Sequence, residues 1–240
     1  METVTIGDIV GKTFSTWRRN FWSFTTLSLI CNSPLILIHV LYYVNEREVS
    51  EFGFDSVGLM LLGMFLGIVL TGALTFGVLQ SLAGQPASMG ASVGKGFKRL
   101  VPVFLVTILF TCVFMAGFVL LVVPGIIVLC GLCLSVPVVV MESVGPITAL
   151  RRSWDLTRGQ RGRIFVAGML LYILVGTIAM LAIVPWYIVR GPTDPLAALA
   201  NAVFTALLGP LGSIAPAILY FLIRSSKEGG QIDQLAAVFE

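Results

Sequence analysis

The sequence has little charge, a single histidine and no long hydrophilic stretch. Asp, Glu, Lys and Arg make up 11% of its 240 residues, whereas a soluble domain carries about 25%. Too few polar side chains are present to cover a water-exposed surface, which excludes an ordinary soluble enzyme and a disordered chain. The same composition excludes a disulfide-stapled scaffold, and all four cysteines lie within apolar stretches. Hydrophobic residues make up 57%, and the mean hydropathy of +0.99 indicates a multi-pass membrane protein.

Six apolar stretches without Asp, Glu, Lys or Arg are long enough to cross a bilayer, which takes about 20 helical residues. The third and fourth form one run of 41 residues; as a single helix it would be about 60 Å long, twice the hydrocarbon thickness. We predict a turn at Pro124 and Gly125, because proline cannot continue a helix and glycine permits positive φ. The predicted fold is an all-α bundle with transmembrane helices over Phe21–Val44, Val57–Ala83, Val101–Leu121, Val123–Met141, Ile164–Val189 and Leu196–Ile223.

The basic residues are unequally divided between the two sides of this bundle. Thirteen of the 15 lysines and arginines fall on one side, and only Arg47 and Arg190 fall on the other. The positive-inside rule therefore predicts that both termini are cytoplasmic, in the plasma (inner) membrane of a prokaryote. The net charge of +3 then faces anionic lipid, and we expect no nucleic-acid partner. A cleaved signal peptide is not expected, since the first apolar stretch has 24 residues.

Three basic segments on that side are also amphipathic: residues 6–21, 89–100 and 146–159. We expect them to lie in the headgroup plane as interfacial helices, with apolar side chains inward and cations outward. The predicted contacts with anionic headgroups are Lys12, Arg18, Arg19, Lys95, Lys98, Arg99, Arg151, Arg152, Arg158, Arg161 and Arg163.

An internal repeat is a further interpretation of this pattern. The first two segments align without gaps at an offset of 83, and the third aligns after an insertion of about four residues. The single membrane domain, residues 1–240, would then contain units 1–83, 84–141 and 142–223 and a cytoplasmic tail, 224–240. The alternative is that the segments look alike only because all three meet the same interface.

A family resemblance is carried by PGIIVLCGLCLSVPVVVMESVGPITALRRSWDLTRG, residues 124–159. The pattern is Pro124-Gly125, Pro137, Glu142 and then Ala149-Leu-Arg-Arg-Ser153 with Leu156, Thr157 and Gly159. It resembles a six-span membrane family that includes the membrane domain of some glycerophosphodiester phosphodiesterases. The opening IGDIVGKTFSTWRRNF is similar as well. The resemblance implies a membrane domain without an assigned reaction. We expect no phosphodiesterase catalytic domain here, since that needs paired histidines and several carboxylates.

The residues that could carry chemistry lack partners. His39 alone cannot build a zinc site or a triad. Cys130 and Cys133 form a CxxC inside the fourth span, where cysteine behaves as a small apolar residue. We therefore predict no enzyme activity, metal or cofactor.

Glycines and prolines within the spans indicate packing. Gly63, Gly67, Gly72 and Gly77 in the second span would allow close helix contact, although a cavity lining is the alternative. Five prolines within the spans either kink helices for packing or free carbonyls that line a cavity: Pro34, Pro137, Pro185, Pro210 and Pro216. The stretch Gly209–Gly212 could break the last span into two halves.

Glu142, at the predicted cytoplasmic end of the fourth span, is the most suggestive polar residue. It is expected to form a structural ion pair with Arg151 or Arg152, with a lipid-phosphate site as the alternative. We therefore expect a non-enzymatic scaffold or accessory protein that engages anionic lipids, a membrane partner or a second copy. The alternatives are an uncoupled transporter, channel or lipid-translocating protein, favoured by the repeats and prolines, and a lipid enzyme.

Overall fold

The computed structural model describes residues 5–44, 54–82, 100–190 and 195–228. Within these ranges every regular element is an α-helix, as the composition predicts. In chain order the helices are α1 (Ile6–Arg19), α2 (Phe21–Val44), α3 (Phe54–Leu82), α4 (Leu100–Leu120), α5 (Val122–Leu132), α6 (Ser135–Glu142), α7 (Pro146–Thr157), α8 (Arg161–Arg190) and α9 (Pro195–Glu228). Six spans are long and apolar enough to cross a membrane: α2, α3, α4, α5 together with α6, α8 and α9. The predicted all-α, six-span fold is confirmed.

The chain reverses between α4 and α5 at Leu121, three residues before the predicted turn. Leu121 is extended, with φ −169° and ψ 148°. Pro124 instead lies in the first turn of α5. N–H groups in the first turn have no acceptor within the helix, so the N–H that proline lacks costs no hydrogen bond there. A Cβ on Gly125 would lie 2.9 Å from the Cα of Phe118. This glycine therefore serves the close approach of α4 and α5 rather than a positive φ.

The fourth span is interrupted between α5 and α6. Helix α5 ends at Leu132 and α6 begins at Ser135. Pro137 follows in the first turn of α6 and has no N–H to donate to the carbonyl of Cys133, so the α-helical ladder cannot run through unbroken. After α6 the chain turns at Ser143, which has a left-handed backbone (φ 56°), and Pro146 starts α7.

The core lies in one half of the bundle, which we call the basic end: α1, the end of α3, the starts of α2, α4 and α8, α6, α7 and the end of α9. Half of the residues in the fourth and last spans are buried, against about a fifth in the others. Toward the opposite end the apolar side chains become exposed, as with Val44 (68%), Val119 (79%) and Ile188 (79%). The fourth and last spans are therefore the central ones, and they are packed at the basic end. The halves of α2, α4 and α8 that lie farthest from the basic end have few protein neighbours.

The last span is one continuous helix with Pro210 and Pro216 inside it, so the alternative of a break at Gly209–Gly212 does not occur. Helix α9 runs on to Glu228, so residues 224–228 of the predicted cytoplasmic tail are helical. Both the first and third predicted repeat units contain a short helix followed by two spans. The short segment of the second unit lies in 83–99, outside the described residues, and the repeat stays a prediction.

The face that helix α1 presents to the protein overlaps its predicted apolar face, which includes Ile9, Phe14 and Trp17, but is displaced toward two threonines. Ile9, Thr13 and Thr16 are buried, whereas Phe14 on the predicted apolar face is 38% exposed. The indole N–H of Trp17 donates to the carbonyl oxygen of Leu207 in α9 (3.2 Å). The small threonines allow a close approach to the bundle, Trp17 packs against the core beside them, and Phe14 remains at the outer surface.

The N-terminus of α1 is closed by a capping box. The N–H of Asp8 donates to Thr5 Oγ1, and the N–H of Thr5 donates to the Asp8 carboxylate, each at 3.2 Å. Donation by the Thr5 hydroxyl and N–H stabilises the ionised carboxylate, which lowers the pKa of Asp8.

Candidate functional site

A polar cluster at the basic end joins α6, α7 and α9. Arg152 Nε lies 3.3 Å from both carboxylate oxygens of Glu142. The Tyr220 hydroxyl donates to Glu142 Oε1 (3.0 Å) and accepts from Arg224 Nη1 (2.8 Å). Tyr220 is fully buried, although it carries a polar hydroxyl. Of the two arginines predicted to pair with Glu142, the structure brings in Arg152, and Arg151 is exposed.

Helix α7 is locked onto the break in the fourth span by two hydroxyls. The Ser153 hydroxyl donates to the carbonyl of Gly131 (2.9 Å) and accepts from the N–H of Leu134 (3.2 Å). The Thr157 hydroxyl also lies within hydrogen-bond distance of the Gly131 carbonyl (3.1 Å). These contacts satisfy backbone groups at the interruption, which water cannot do inside a bilayer. We call these contacts of Ser153 and Thr157 with Gly131 and Leu134 the joint between α7 and the fourth span. Ser153 and Thr157 both belong to the pattern that carries the family resemblance.

Trp154 fills the space beside this joint. A Cβ on Gly131 would lie 2.5 Å from Trp154 Cε3, so only glycine leaves room for the indole. The guanidinium of Arg161, at the start of α8, lies over the indole ring 3.7 Å from its centroid, a cation–π contact. Arg161 also donates to the Trp154 carbonyl (3.3 Å), while its Nε is buried without a hydrogen-bond partner in the described structure.

The end of α9 caps α7. Lys227 Nζ donates to the carbonyls of Asp155 (3.2 Å) and Arg158 (2.9 Å). An ammonium group at this position complements the negative end of the α7 dipole. The turn into α8 follows at Gly159, whose φ of +85° favours glycine.

The predicted lipid-contacting cations divide into two groups. Three are engaged with the protein: Arg152 with Glu142, Arg161 with Trp154, and Arg19, which donates to the carbonyl (3.0 Å) and hydroxyl (2.8 Å) of Ser81. The others in the described ranges have exposed side chains: Lys12, Arg18, Arg151, Arg158 and Arg163. Lys95, Lys98 and Arg99 lie outside the described residues.

The predicted packing glycines are not equivalent. A Cβ on Gly63 would lie 3.5 Å from Leu35 of α2, and one on Gly72 would lie 3.8 Å from Val103 of α4. Gly77 is buried, whereas Gly67 has nothing within 4 Å of its Cβ position. The GxxxG pair, Gly63 and Gly67, therefore has one glycine at a helix contact and one on an open surface.

Cys130 and Cys133 have the environment of structural residues. The Cys133 thiol donates to the Cys130 carbonyl (3.2 Å), and Cys130 is 5% exposed. Across the described ranges no group of three or more His, Cys, Asp and Glu could hold a metal ion. The side chain of His39 lies outside the described part of the structure.

The sequence analysis named Ser153 and Thr157 only as part of the family pattern, without a role, and it did not single out Tyr220 and Lys227. The spacing of these residues in the sequence could have indicated both groups. Ser153 and Thr157 are four residues apart and share a face of α7, and Tyr220, Arg224 and Lys227 follow the i, i+4, i+7 spacing that places them on one face of α9.

A family described as a domain of unknown function (DUF7847) matches residues 53–224. The chain belongs to this family. The matched region runs from the start of α3 into α9 and contains the whole joint between α7 and the fourth span. No curated protein and no solved structure matches the chain. The six apolar helices fit the predicted membrane family, and the resemblance to the membrane domain of glycerophosphodiester phosphodiesterases stays a prediction.

Proposed function

We propose that this family member is a non-enzymatic scaffold or accessory protein of the plasma (inner) membrane, with both termini cytoplasmic. Its basic end engages the anionic headgroups of the cytoplasmic leaflet, alone or together with a membrane partner or a second copy. The observation that carries the proposal is the division of the cations at that end. Arg19, Arg152 and Arg161 are held by the protein, and a separate set of exposed cations is left to meet headgroups.

Electrostatics support this arrangement. Each lysine or arginine near an anionic membrane surface contributes about 1 kcal/mol of attraction. The exposed cations Lys12, Arg18, Arg151, Arg158 and Arg163 lie on α1, on α7 and around the α7–α8 turn. They are held on a packed half of the bundle, so the attraction would orient the whole protein rather than a loose segment.

Lipid enrichment tests this proposal. The full chain is extracted from its membrane in polymer-bounded discs without detergent, and its bound lipids are compared with the bulk lipids. We expect enrichment of anionic lipids, which falls when Lys12, Arg18, Arg151 and Arg163 are changed together to Gln. Arg47→Gln, on the predicted opposite side, is the matched control and should keep the enrichment. Discs that contain neither enriched anionic lipid nor a stable protein partner would refute the proposal.

A second candidate function is uncoupled movement of an apolar or lipid substrate. It is favoured by the exposed outer halves of α2, α4 and α8, together with the prolines in α2, α8 and α9. These features would give a lipid molecule access between helices. A lipid-scrambling assay in vesicles of the purified chain decides the matter, and movement no faster than in protein-free vesicles removes this candidate.

A further inference from the structure

Four aromatic rings lie side by side where α1 meets α2. The ring centroids of Phe14 and Trp17 are 5.3 Å apart, those of Trp17 and Phe21 are 5.0 Å apart, and those of Phe21 and Trp22 are 5.5 Å apart. We call these four residues the aromatic elbow, because Asn20 alone separates the two helices. Rings at such distances attract one another, so the four side chains form one continuous apolar group.

The aromatic elbow is fixed to the rest of the bundle. The indole N–H of Trp17 donates to the Leu207 carbonyl of α9 (3.2 Å). The Asn20 amide donates to the Thr16 carbonyl (3.1 Å) and to the Ser81 hydroxyl at the end of α3 (3.0 Å). The place of the aromatic elbow is therefore set by contacts with α3 and α9, and its rings do not belong to a loose segment.

The two ends of the aromatic elbow are open to the outside. Phe14 is 38% exposed, and Trp22 is 79% exposed. Trp22 is the second residue of α2, just inside a span that is apolar enough to cross a membrane. Arg18, four residues after Phe14 and four before Trp22, also has an exposed side chain. Exposed rings beside a cation at the start of a span fit the border of a bilayer, where phosphates meet ester groups and acyl chains.

We propose that the aromatic elbow anchors the α1–α2 connection in the glycerol and upper acyl region of the cytoplasmic leaflet, through Phe14 and Trp22. This inference rests on the proposed function for the side of the membrane, and it adds a second part of the lipid to the contact. The exposed cations favour anionic headgroups, whereas the ester groups and upper acyl chains are common to zwitterionic and anionic phospholipids. Tryptophan suits this region because its ring is apolar and its N–H donates to a lipid oxygen.

The test measures the fluorescence of Trp22 in bilayers. The full chain and its Trp22→Phe variant are reconstituted in phosphatidylcholine vesicles, and the difference between their spectra gives the emission of Trp22. Three bilayers are compared: unlabelled lipid, lipid brominated close to the headgroup, and lipid brominated close to the ends of the acyl chains. We expect Trp22 to lose most of its emission to bromines near the headgroup, less to bromines near the chain ends, and little to acrylamide in the water.

A pair of substitutions tests the anchoring role. Trp22→Ser should raise the hydrogen exchange of the α1 amides in the same vesicles, because the connection is no longer held at one depth. Leu37→Ser is the matched control, since Leu37 is 58% exposed on the same helix but lies far from the aromatic elbow, and it should leave α1 exchange unaltered. Thermal unfolding shows whether each variant keeps the fold, and the fluorescence measurement does not depend on either of them.

The outcomes separate this inference from the proposed function. Trp22 emission that acrylamide quenches and neither brominated lipid reduces overturns the anchor, as does stronger quenching by bromines near the chain ends. Quenching near the headgroup that appears only after phosphatidylglycerol is added overturns the independence from headgroup charge. Equal α1 exchange in Trp22→Ser and Leu37→Ser also overturns the anchor. In each of these cases enrichment of anionic lipids in the discs leaves the proposed function standing, because the exposed cations are unchanged.

Discussion

Substitution of Gly131 by alanine is the sharpest probe of the joint between α7 and the fourth span. The added methyl group would lie 2.5 and 2.6 Å from two carbons of the Trp154 ring, well inside van der Waals contact. The ring cannot rotate away freely, because the Arg161 guanidinium lies over it. Either the indole moves and loses its contact with Arg161, or helix α7 shifts and disturbs the contacts of Ser153 and Thr157 with the Gly131 carbonyl.

The expected change in the free energy of unfolding is the sum of two destabilising contributions and one stabilising contribution. Overpacking of a core position costs about 1–3 kcal/mol. Strain on the two hydroxyl contacts adds up to about 1 kcal/mol each. Replacement of glycine by alanine inside a helix returns at most about 1 kcal/mol. We expect Gly131→Ala to destabilise the protein by about 2 kcal/mol, measured as the free energy of unfolding in mixed micelles.

Gly67→Ala is the matched control, because nothing lies within 4 Å of that Cβ position in α3. Only the helix-propensity gain should remain, so this variant should be stabilised by up to about 1 kcal/mol. The double variant Gly131→Ala, Trp154→Phe should recover part of the lost stability, since the smaller ring makes room. If Gly131→Ala were as stable as the wild type, or if the Trp154 change gave no recovery, the packing argument would be refuted.

Three further predictions concern buried contacts and the first helix. Tyr220→Phe should lower the free energy of unfolding by about 1.5–3 kcal/mol, because its hydroxyl bonds a carboxylate; Tyr172→Phe, at an 81% exposed position, should have no effect, and an equal effect would contradict this. Gly125→Ala should destabilise the protein at least as much as Gly131→Ala, since its Cβ would meet the backbone of Phe118 at 2.9 Å; unchanged unfolding would show that α4 and α5 are not in close contact. The lowered pKa of Asp8 in the folded state means that its stabilisation of α1 is present above the ordinary Asp pKa and is lost as the pH falls through the lowered value. The protection of the α1 amides against hydrogen exchange, taken relative to their intrinsic rate at each pH, should therefore fall below about pH 4 in the wild type, and Asp8→Asn should show no such step.

The spans could be predicted from the sequence because a bilayer imposes a length and a composition. Continuous apolar stretches without charge can be counted directly, and their helical state follows from the need to satisfy every backbone group internally. From the sequence, the partner of Glu142 could be predicted to be one of two arginines, but not which one. Arg151 and Arg152 are adjacent, and only the rotation of α7 about its axis decides which of them faces Glu142.

The joint and the buried face of α1 could not be predicted from the pattern of apolar residues. Ser153, Thr157, Thr13 and Thr16 are small and polar, so a hydrophobic periodicity passes over them although all are buried. Their role depends on the structure that faces them. Ser153 and Thr157 face the interruption of the fourth span, and Thr13 and Thr16 face the packed bundle. The reversal at Leu121 was missed for a related reason, since a proline is as acceptable just inside a helix as at its end.

The joint also has a consequence for how the protein is made. The fourth span emerges from the ribosome before Ser153 and Thr157, which are synthesised 19 to 26 residues after the amide and carbonyl groups that they bond. Until then no later segment is available to shield the interruption at Cys133 and Leu134. Membrane insertion of this hairpin is therefore only finished once α7 has left the exit tunnel, and a nascent chain whose α7 is still in the tunnel would hold its fourth span less firmly than one whose α7 has emerged.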